Sequence, residues 1–328
     1  MLSYSIAIRT LGTAGEMFHE ELLSIAAQTV QPERVLVYIA DGYERPDFTV
    51  GREEYVWVKK GMVAQRILPY DDISSDVIFM LDDDVRLAPD SAGRMLRAME
   101  EHGADCLGAD TFKNHKLPAA MKIYAAVTNL VFPHCNCKWA FRIRRNGSFS
   151  YCCCPSGSFS WSQSCGGNAM MWRKDVYKQL HLEDELWLDE LPFAYSDDAV
   201  ESYKVYKNGF RLGVLYDSGC ENLDAGSWSR AFRCSSHWIH TRTKALLVIW
   251  WRLIYTTTRE RSAERFFTAL CFALKVVWLF FVMILVSAVK FSPRYIVSYL
   301  KGLRDGWKFV HTEKFRSLRN YVLQKTNV

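Results

Sequence analysis

Residues 76–84 read Asp-Val-Ile-Phe-Met-Leu-Asp-Asp-Asp, an apolar run that ends in three consecutive carboxylates. Because its apolar residues do not alternate with polar ones, the run predicts a strand buried on both faces, as in a parallel sheet. Ligands of such sheets bind beyond the carboxyl ends of the strands. We therefore expect Asp82, Asp83 and Asp84 to border a ligand site.

The surrounding sequence alternates strand-like apolar runs with segments of helical periodicity. We predict strands at residues 4–8, 35–40, 55–58 and 210–216, and helices at 17–28, 91–101, 119–130, from 174, and at 199–208. Residues 61–68 should form a loop that enters a helix, and Arg145-Asn146-Gly147 should close a hairpin. This order predicts an α/β fold with a Rossmann-like, mostly parallel sheet and flanking helices.

Composition excludes two classes of protein. Hydrophobic residues are 49% and charged residues 23% of the chain, so wholesale disorder is excluded. Ten cysteines dispersed over 328 residues do not make a small disulfide scaffold. The sequence opens without a secretory signal, so we expect a cytoplasmic location and reduced thiols.

The charges divide the chain at residue 230. Residues 230–328 hold 18 Lys and Arg against 4 Asp and Glu, whereas residues 1–229 hold 23 against 32. A basic region can bind nucleic acid or an anionic membrane. The apolar content of this one favours the membrane, and we expect no nucleic-acid partner. We therefore predict a body at 1–229 and a helical, membrane-associating region at 230–328.

Residues 266–289 form an apolar segment in which Lys275 is the one charged residue. Its length allows a membrane-spanning helix. Both flanks are basic, however, so the positive-inside rule gives no orientation, and a helix lying in the membrane interface explains the flanks better. In-plane or re-entrant association, spanning, and a buried core helix all stay open.

Three carboxylates at a strand end repel one another, and a divalent cation would relieve that repulsion. Asp82 and Asp84 project to the same side of an extended chain, so they could hold Mn²⁺ or Mg²⁺, which prefer oxygen ligands and commonly bridge to phosphates. The alternative is a solvated acidic loop or a helix cap.

Two further acidic sites stand beside predicted elements. Asp197-Asp198 precedes a helix, where one carboxylate is a candidate general base and the alternative is a helix cap. Asp41-Gly42 ends the strand at 35–40, where a carboxylate can accept a hydrogen bond from a nucleobase or a ribose. The alternative there is a plain turn.

The order of these motifs resembles family 2 glycosyltransferases of the GT-A fold, over about residues 4–225. The first strand resembles that family's in having Arg9-Thr10, and the carboxylates 82–84 match its DxD motif. Each motif is weak alone, but six in the right order are specific. The six are Ser5–Thr10, Gln28-Thr29 with 35–42, Lys60-Gly61 with Ala64-Gln65-Arg66, 79–84, Gly166-Gly167-Asn168 and Ser196-Asp197-Asp198.

The resemblance implies an inverting, metal-assisted hexosyl- or deoxyhexosyltransferase that uses a nucleotide-sugar donor. It implies that Asp198 is the general base and that Asp197 contacts the acceptor or the sugar. Asp82 and Asp84 would hold the metal. The donor would lie against Arg9, Thr10, Asp41, Gly61, Arg66, Asp82 and Asp83, and the acceptor against Gly166, Gly167 and Asn168.

Two positions depart from the family pattern. Ala40 stands where an aspartate is common, and the histidine that often follows the last strand is absent, with Glu221 and Asn222 as candidate replacements. The tail resembles, more loosely, that of bacterial polysaccharide-building members. This implies a lipid-linked or polysaccharide acceptor of the cell envelope, at the cytoplasmic face of the membrane.

Two rival functions remain. A metal-dependent nucleotidyltransferase would share an acidic metal site, but no Gly-rich basic N-terminal loop for a triphosphate is visible. A non-enzymatic membrane scaffold could be built on a zinc module of His134, Cys135, Cys137 and Cys152-Cys153-Cys154. The spacing of these residues is not the usual zinc spacing, which favours scattered thiols.

Overall fold

The computed structural model describes residues 2–111, 123, 126–127, 134–135, 139–192, 196–224, 235–258 and 262–323. In these ranges the strands are β1 Tyr4–Thr10, β2 Val35–Ala40, β3 Glu53–Val58, β4 Val77–Asp82, β5 Val85–Leu87, β6 Cys106–Ala109, β7 His134–Cys135, β8 Phe141–Ile143, β9 Phe149–Cys154, β10 Phe159–Trp161, β11 Ala169–Arg173, β12 Leu212–Leu215 and β13 Cys220–Asn222. The α-helices are α1 Glu16–Ala26, α2 Ser91–His102, α3 Lys174–Gln179, α4 Asp197–Lys207, α5 Ser236–Trp250, α6 Ser262–Val289, α7 Arg294–Val310 and α8 Glu313–Arg316. A 3₁₀-helix covers Leu182–Glu190, and a π-helical turn covers Trp251–Tyr255.

The central sheet has eight strands in the order β10-β12-β6-β11-β4-β1-β2-β3. β3, β2, β1 and β4 run parallel, as do β6 and β12, so the predicted mostly parallel α/β sheet is confirmed. β11 lies antiparallel between β4 and β6, and β10 lies antiparallel to β12. An antiparallel neighbour does not need a helical crossover.

Both faces of the sheet are covered, because alternate residues of its strands enter two different apolar clusters. In β2, Val35 and Val37 pack with side chains of α1 and α2, whereas Leu36 and Tyr38 pack with Trp187 and residues of α5. Every residue of β2 is therefore buried. This is the burial that a non-alternating apolar run predicts.

The segment 61–68 differs from the prediction, since it forms a single turn rather than a helix. The Asp189 carboxylate accepts hydrogen bonds from the backbone N–H groups of Val63 (3.0 Å) and Ala64 (2.9 Å). The first N–H groups of a helical turn have no backbone partner, and here the distant Asp189 carboxylate accepts from two of them. The predicted hairpin is confirmed, with the Arg144 N–H donating to the Ser148 carbonyl at 2.9 Å. Most of the helix predicted at 119–130 lies outside the described residues.

The C-terminal helices pack on the body through aromatic contacts. Trp250 of α5 stacks on Phe272 of α6 at 3.9 Å between ring centroids, and Trp187 meets Phe315 of α8 edge-on at 5.2 Å. In the described ranges one helix, Ala263–Val289 with a mean hydropathy of 2.7, is long and apolar enough to cross a membrane by length and composition. The division at residue 230 stays a prediction.

A buried ion cluster also joins the tail to the body. The Glu185 carboxylate accepts from Arg252 at 2.7 and 3.0 Å and from Lys204 at 2.9 Å. Burial alone would raise the pKa of Glu185, but Arg252 and Lys204 outweigh it and lower the pKa. The Tyr321 hydroxyl donates to the Val200 carbonyl of α4. These contacts tie the C-terminal segment to the helix that begins with Asp197 and Asp198.

Candidate active site

The carboxyl ends of β1 and β4 bring Arg9 and Asp82 side by side. Arg9 Nε donates to Asp82 Oδ1 at 2.6 Å, and Arg66 Nη2 donates to the same oxygen at 2.9 Å. Burial alone would raise the pKa of Asp82, but Arg9 and Arg66 together lower it to about 2. Asp82 is therefore an anion held by two cations.

The same two arginines reach Asp197, at the start of α4. Asp197 Oδ2 lies 3.4 Å from Arg9 Nη1 and 3.3 Å from Arg66 Nη1. Arg9 also donates to the Met62 carbonyl, in the turn that carries Arg66. The structure thus joins the acidic strand end at 82–84 to the acidic pair at 197–198, two predicted motifs that are remote in sequence.

Asp83 and Asp84 have no basic partner among the residues that the structure describes. Asp83 accepts a hydrogen bond from the Thr10 hydroxyl, and Asp84 Oδ1 accepts one from Asn222 Nδ2 at 3.0 Å. Burial, followed by the charges of Asp82 and Asp83, raises the pKa of Asp84 to about 7. Burial also raises the pKa of Asp83. Negative charge is therefore uncompensated at this end of the motif.

A divalent cation fits this surplus, because carboxylate oxygens are the ligands that Mg²⁺ and Mn²⁺ prefer. Asp84 is the predicted ligand that the arginines leave free, whereas Asp82 is held by both. The described residues contain no group of three or more His, Cys, Asp or Glu side chains placed to hold a metal. The protein would thus supply part of the coordination shell, as is common where phosphates and water supply the rest.

β13 carries Glu221 and Asn222, the two candidates for the position of the family's missing histidine, and of these two Asn222 contacts the acidic motif at 82–84 in the described residues. Asn222 donates to Asp84, whereas Glu221 pairs with Arg86 on the surface. Asn222 is therefore the residue that stands beside the acidic motif.

Asp198 occupies the first turn of α4, where the helix dipole favours a carboxylate. Its Oδ1 accepts from the Ala199 N–H at 2.7 Å, and its side chain is half-buried. Burial, followed by the charge of Asp197, raises the pKa of Asp198 to about 6. The N-cap residue is Ser196, so Asp198 lies in the first turn without capping the helix, and this position is compatible with the base interpretation.

The segment Gly166-Gly167-Asn168 lies against this cluster. A Cβ atom on Gly167 would stand 2.5 Å from Arg66 Nη1 and 2.8 Å from the Asp198 Cβ, so only glycine fits. Asn168 Nδ2 donates to Thr111 Oγ1 at 2.7 Å, and its carbonyl accepts from the Asp82 N–H at 3.0 Å. The predicted acceptor loop at 166–168 is therefore hydrogen-bonded to the end of β4 at Asp82.

An open cleft of about 260 Å³ begins next to this loop, at Thr111. Its lining combines acidic and polar groups at the carboxyl ends of β6 and β12 with the cation of Arg94 from α2. The lining residues include Asp110, Thr111, Tyr216, Asp217 and Glu221. Such a cleft offers hydrogen-bond acceptors to a polar ligand.

Gly61 and Asp41 lie outside the arginine network. A Cβ atom on Gly61 would stand 2.3 Å from Asp189 Oδ2, so Gly61 makes room for the carboxylate that holds the turn. Asp41 lies in the exposed turn after β2, where its N–H donates to the Val58 carbonyl at 2.7 Å. Its predicted contact with a nucleoside stays a prediction.

Sequence reasoning missed two buried carboxylates near the site. Glu201 Oε2 lies 3.8 Å from Arg66 Nη1, and burial raises the pKa of Glu201 to about 8. Glu21 is buried on α1, and burial, followed by the charge of Asp83, raises its pKa well above the usual range. Helical spacing could have found Glu201, because it follows Asp197 by one turn on the same helix face.

Neither a protein-family model nor a curated protein matches the sequence. Solved structures do resemble the chain. TarS residues 1–349 of S. aureus, in complex with UDP-GlcNAc, is 13% identical over 97% of this chain and 84% of that one, with a TM-score of 0.50. PcManGT, a mannosyltransferase from Pyrobaculum calidifontis in complex with GDP-Man and Mn²⁺, is 12% identical over 96% and 82%, with a TM-score of 0.45.

GalNAc-T7 in complex with UDP, GalNAc and Mn²⁺ is 10% identical over 67% of this chain, with a TM-score of 0.47. The chain covers 43% of the length of GalNAc-T7. The match to TarS extends over nearly the whole chain and shows a common architecture. The chain has the GT-A fold.

Proposed function

We propose that the chain is an inverting glycosyltransferase that moves a sugar from a nucleotide-sugar donor to an acceptor hydroxyl. The observation that carries the proposal is the cluster in which Arg9 and Arg66 join Asp82 to Asp197, beside Asp198. The fold shared with TarS, whose structure contains UDP-GlcNAc, supports the same reaction class. Membership of family 2 is part of the proposal.

The donor would occupy the edge of the sheet formed by β1, β2 and β4. Arg9 and Arg66 would face the diphosphate, since guanidinium groups pair well with phosphate oxygens. Asp82 and Asp83 would keep the arginines and Thr10 in place. Mn²⁺ or Mg²⁺, held by Asp84 with Asp82, would stabilise the negative charge of the departing nucleoside diphosphate.

Asp198 would act as the general base. The acceptor oxygen forms a bond to the anomeric carbon while the bond from that carbon to the diphosphate breaks, and the acceptor proton passes to Asp198. A pKa of about 6 leaves Asp198 mostly ionised at neutral pH and still basic enough to take a proton. A single displacement of this kind inverts the anomeric configuration.

Gly166, Gly167 and Asn168 would bound the acceptor side, since they lie between Asp82 and Asp198. We further propose a lipid-linked or polysaccharide acceptor at the cytoplasmic face of the cell membrane. The basic, apolar helices α6 and α7 support this proposal, because they would hold the site next to a lipid surface. The transferred group would be a hexosyl or deoxyhexosyl unit.

Calorimetric titration of UDP, GDP and dTDP, each with and without Mn²⁺ or Mg²⁺, tests the donor site. We expect one of these nucleotides to bind with metal and to lose most of its affinity in Asp84→Asn. The exposed carboxylate Asp47 provides a matched control, since Asp47→Asn should bind as the parent chain does. Absence of binding for all three nucleotides would contradict the proposed reaction.

A further inference from the structure

Helix α6 exposes an apolar face from Phe266 to Val289, in which the Trp278 indole N–H donates to the Val127 carbonyl at 2.8 Å. Its side chains include Phe266 (70% exposed), Leu274 (62%) and Leu285 (66%), and the face continues to Phe291 (95%) just after the helix. We call this face the apolar stripe. It consists of Phe266, Phe267, Leu270, Leu274, Val277, Trp278, Phe281, Ile284, Leu285, Val289 and Phe291. A continuous apolar surface of this length is unfavourable in water and marks a site of interaction with a protein or a membrane.

The opposite face of α6 is fixed against the protein. Glu264 pairs with Arg145 of the β8–β9 hairpin at 3.3 Å, and Phe272 stacks on Trp250. Farther along, the Tyr299 hydroxyl donates to the Val276 carbonyl at 2.7 Å, and Met283 packs in a cluster with α5 and α7. From Glu264 to Met283 these contacts extend over about 28 Å of helix, at about 1.5 Å per residue.

Lys275 lies on this inner face and is 1% exposed. The one charge within the apolar segment is therefore turned away from the apolar stripe. Lipid that covers the stripe would meet no charged side chain of residues 266–289, and the guanidinium group of Arg145 lies 5.7 Å from the ring centroid of Phe267 at the start of the stripe. In the sequence, a charge within the apolar segment argues against contact with lipid. In the structure that charge is buried, so it does not oppose such contact.

The chain that follows the stripe carries a basic rim. Residues 290–323, at and after the end of the stripe, hold 8 Lys and Arg against 2 Asp and Glu. The exposed members of this set on and just before α7 are Lys290, Arg294, Lys301, Arg304 and Lys308. Cations beside an apolar face are what an anionic phospholipid surface attracts.

We infer that α6 lies in the plane of an anionic phospholipid bilayer, with the apolar stripe in the lipid and the basic rim at the headgroups, and does not span it. Contacts with the body run over nearly the thickness of a hydrocarbon core, about 30 Å. A spanning α6 would take α7 and the His240–Asp305 pair (2.9 Å) into the hydrocarbon with it. The inference rests on the proposed membrane partner but not on the reaction.

Flotation of the full chain with vesicles tests the inference. We expect binding to vesicles that contain phosphatidylglycerol and phosphatidylcholine, weakened about fivefold for each rim cation replaced by Gln. Leu274→Asp with Leu285→Asp should lower binding at least tenfold. The matched control replaces two exposed leucines of the body, Leu23→Asp with Leu186→Asp, and should still bind.

A membrane-impermeant maleimide separates in-plane from spanning attachment. Ser292→Cys, after α6, and Asn320→Cys, near the C-terminus, are compared with the parent chain on sealed vesicles. In-plane attachment predicts that the thiol of Asn320→Cys reacts from outside, whereas lipid would shield the thiol of Ser292→Cys because it adjoins Phe291 of the stripe. Protection of both Asn320→Cys and Ser292→Cys until the vesicles are lysed would overturn the inference.

Two further outcomes would also overturn it. One is a failure to float with vesicles that contain phosphatidylglycerol. The other is a dimer in solution that Leu274→Asp with Leu285→Asp separates into monomers, since a second copy would then cover the stripe. Neither outcome affects nucleotide binding, which is measured without lipid, so failure here and failure of the proposed reaction are distinguishable.

Discussion

Asp82 and Asp197 share the guanidinium group of Arg66, which lies 2.9 Å from one carboxylate and 3.3 Å from the other. Asp82 ends a central strand and Asp197 begins a helix, so the shared arginine sets the separation of the two elements. Asp198 follows Asp197 directly and inherits its position from this contact. The proposed base is therefore placed by the proposed donor site.

Replacing the proposed base should abolish transfer without removing the donor site. We expect Asp198→Asn to lower kcat by about 10²–10⁴, because general base catalysis contributes roughly that much. Nucleotide affinity should stay near that of the parent chain, since Asp198 makes no ion pair with Arg9 or Arg66 among the described residues. Turnover retained in steady-state assays of this variant would contradict the assignment.

The rate of transfer should depend on pH through Asp198. Burial raises the pKa of this carboxyl to about 6, so the base form is lost as the pH falls through that value. We expect kcat to rise about tenfold per pH unit below 6 and to level off above it. The residual rate of Asp198→Asn should lack this step, and a step that persists in that variant would assign it to another group.

Adding one methyl group at Gly167 should damage the site. The new Cβ atom would stand 2.5 Å from Arg66 Nη1 and 2.8 Å from the Asp198 Cβ, so one of these groups must move. We expect Gly167→Ala to lower kcat at least tenfold, since small displacements of reacting groups are costly. Gly157→Ala is the matched control, because its added Cβ atom would have no neighbouring atom within 4 Å and Gly157 is exposed. Equal losses in both variants would contradict the explanation.

The ion cluster around Glu185 should dominate the stability of the tail. Arg252→Met removes one of the two cations that pair with the buried Glu185 carboxylate and leaves it with Lys204 and the Trp187 indole N–H, and breaking a buried pair typically costs about 3–5 kcal/mol. We expect a clear fall in the free energy of unfolding, measured by denaturant titration. Arg97→Met, at an exposed position of α2, should change it by less than about 0.5 kcal/mol.

A truncation at residue 230 would remove Arg252 together with the membrane helices. We therefore expect the fragment 1–229 to lose membrane binding and stability at the same time. The soluble fraction after expression and the thermal transition of the fragment measure this. A fragment as stable as the full chain would show that the body does not need the tail.

Glu201 should make stability depend on pH. Burial raises its folded-state pKa to about 8, so the folded state binds a proton that the unfolded state releases near its ordinary value of about 4.3. Stability should therefore fall as the pH rises from about 4.3 to 8. Glu201→Gln should flatten this part of the profile of Tm against pH. An unchanged profile would contradict the assignment.

Local pattern was enough for the strands and for the acidic strand ends. The run at 76–84 is apolar because β4 is buried on both faces, and that burial depends on nothing beyond the run itself. The direction of β11 could not be predicted in this way. It depends on the path of the chain through β8, β9 and β10, which no local pattern encodes.

Some side-chain positions could likewise be predicted from local pattern, whereas others depend on contacts between distant segments. Helix phase alone could have placed Lys275 on the inner face of α6, since its neighbours at helical spacing are buried as well. The partners of Arg9, in contrast, depend on the register of β1 against β4. The hydrogen bonds from the turn at 61–66 to the Asp189 carboxylate depend on packing between segments distant in sequence. No pattern in either segment predicts them.

The paired arginines have a thermodynamic consequence. Asp82 and Asp197 offset the charge of the two guanidinium groups that would face the diphosphate, while Asp84 has no cationic partner among the described residues. The affinity for a nucleotide would then be high only when the metal is bound, and the affinity for the metal would be high only when the nucleotide is bound. Linkage requires the two effects to be equal, so the factor by which Mn²⁺ tightens the nucleotide is the factor by which the nucleotide tightens Mn²⁺.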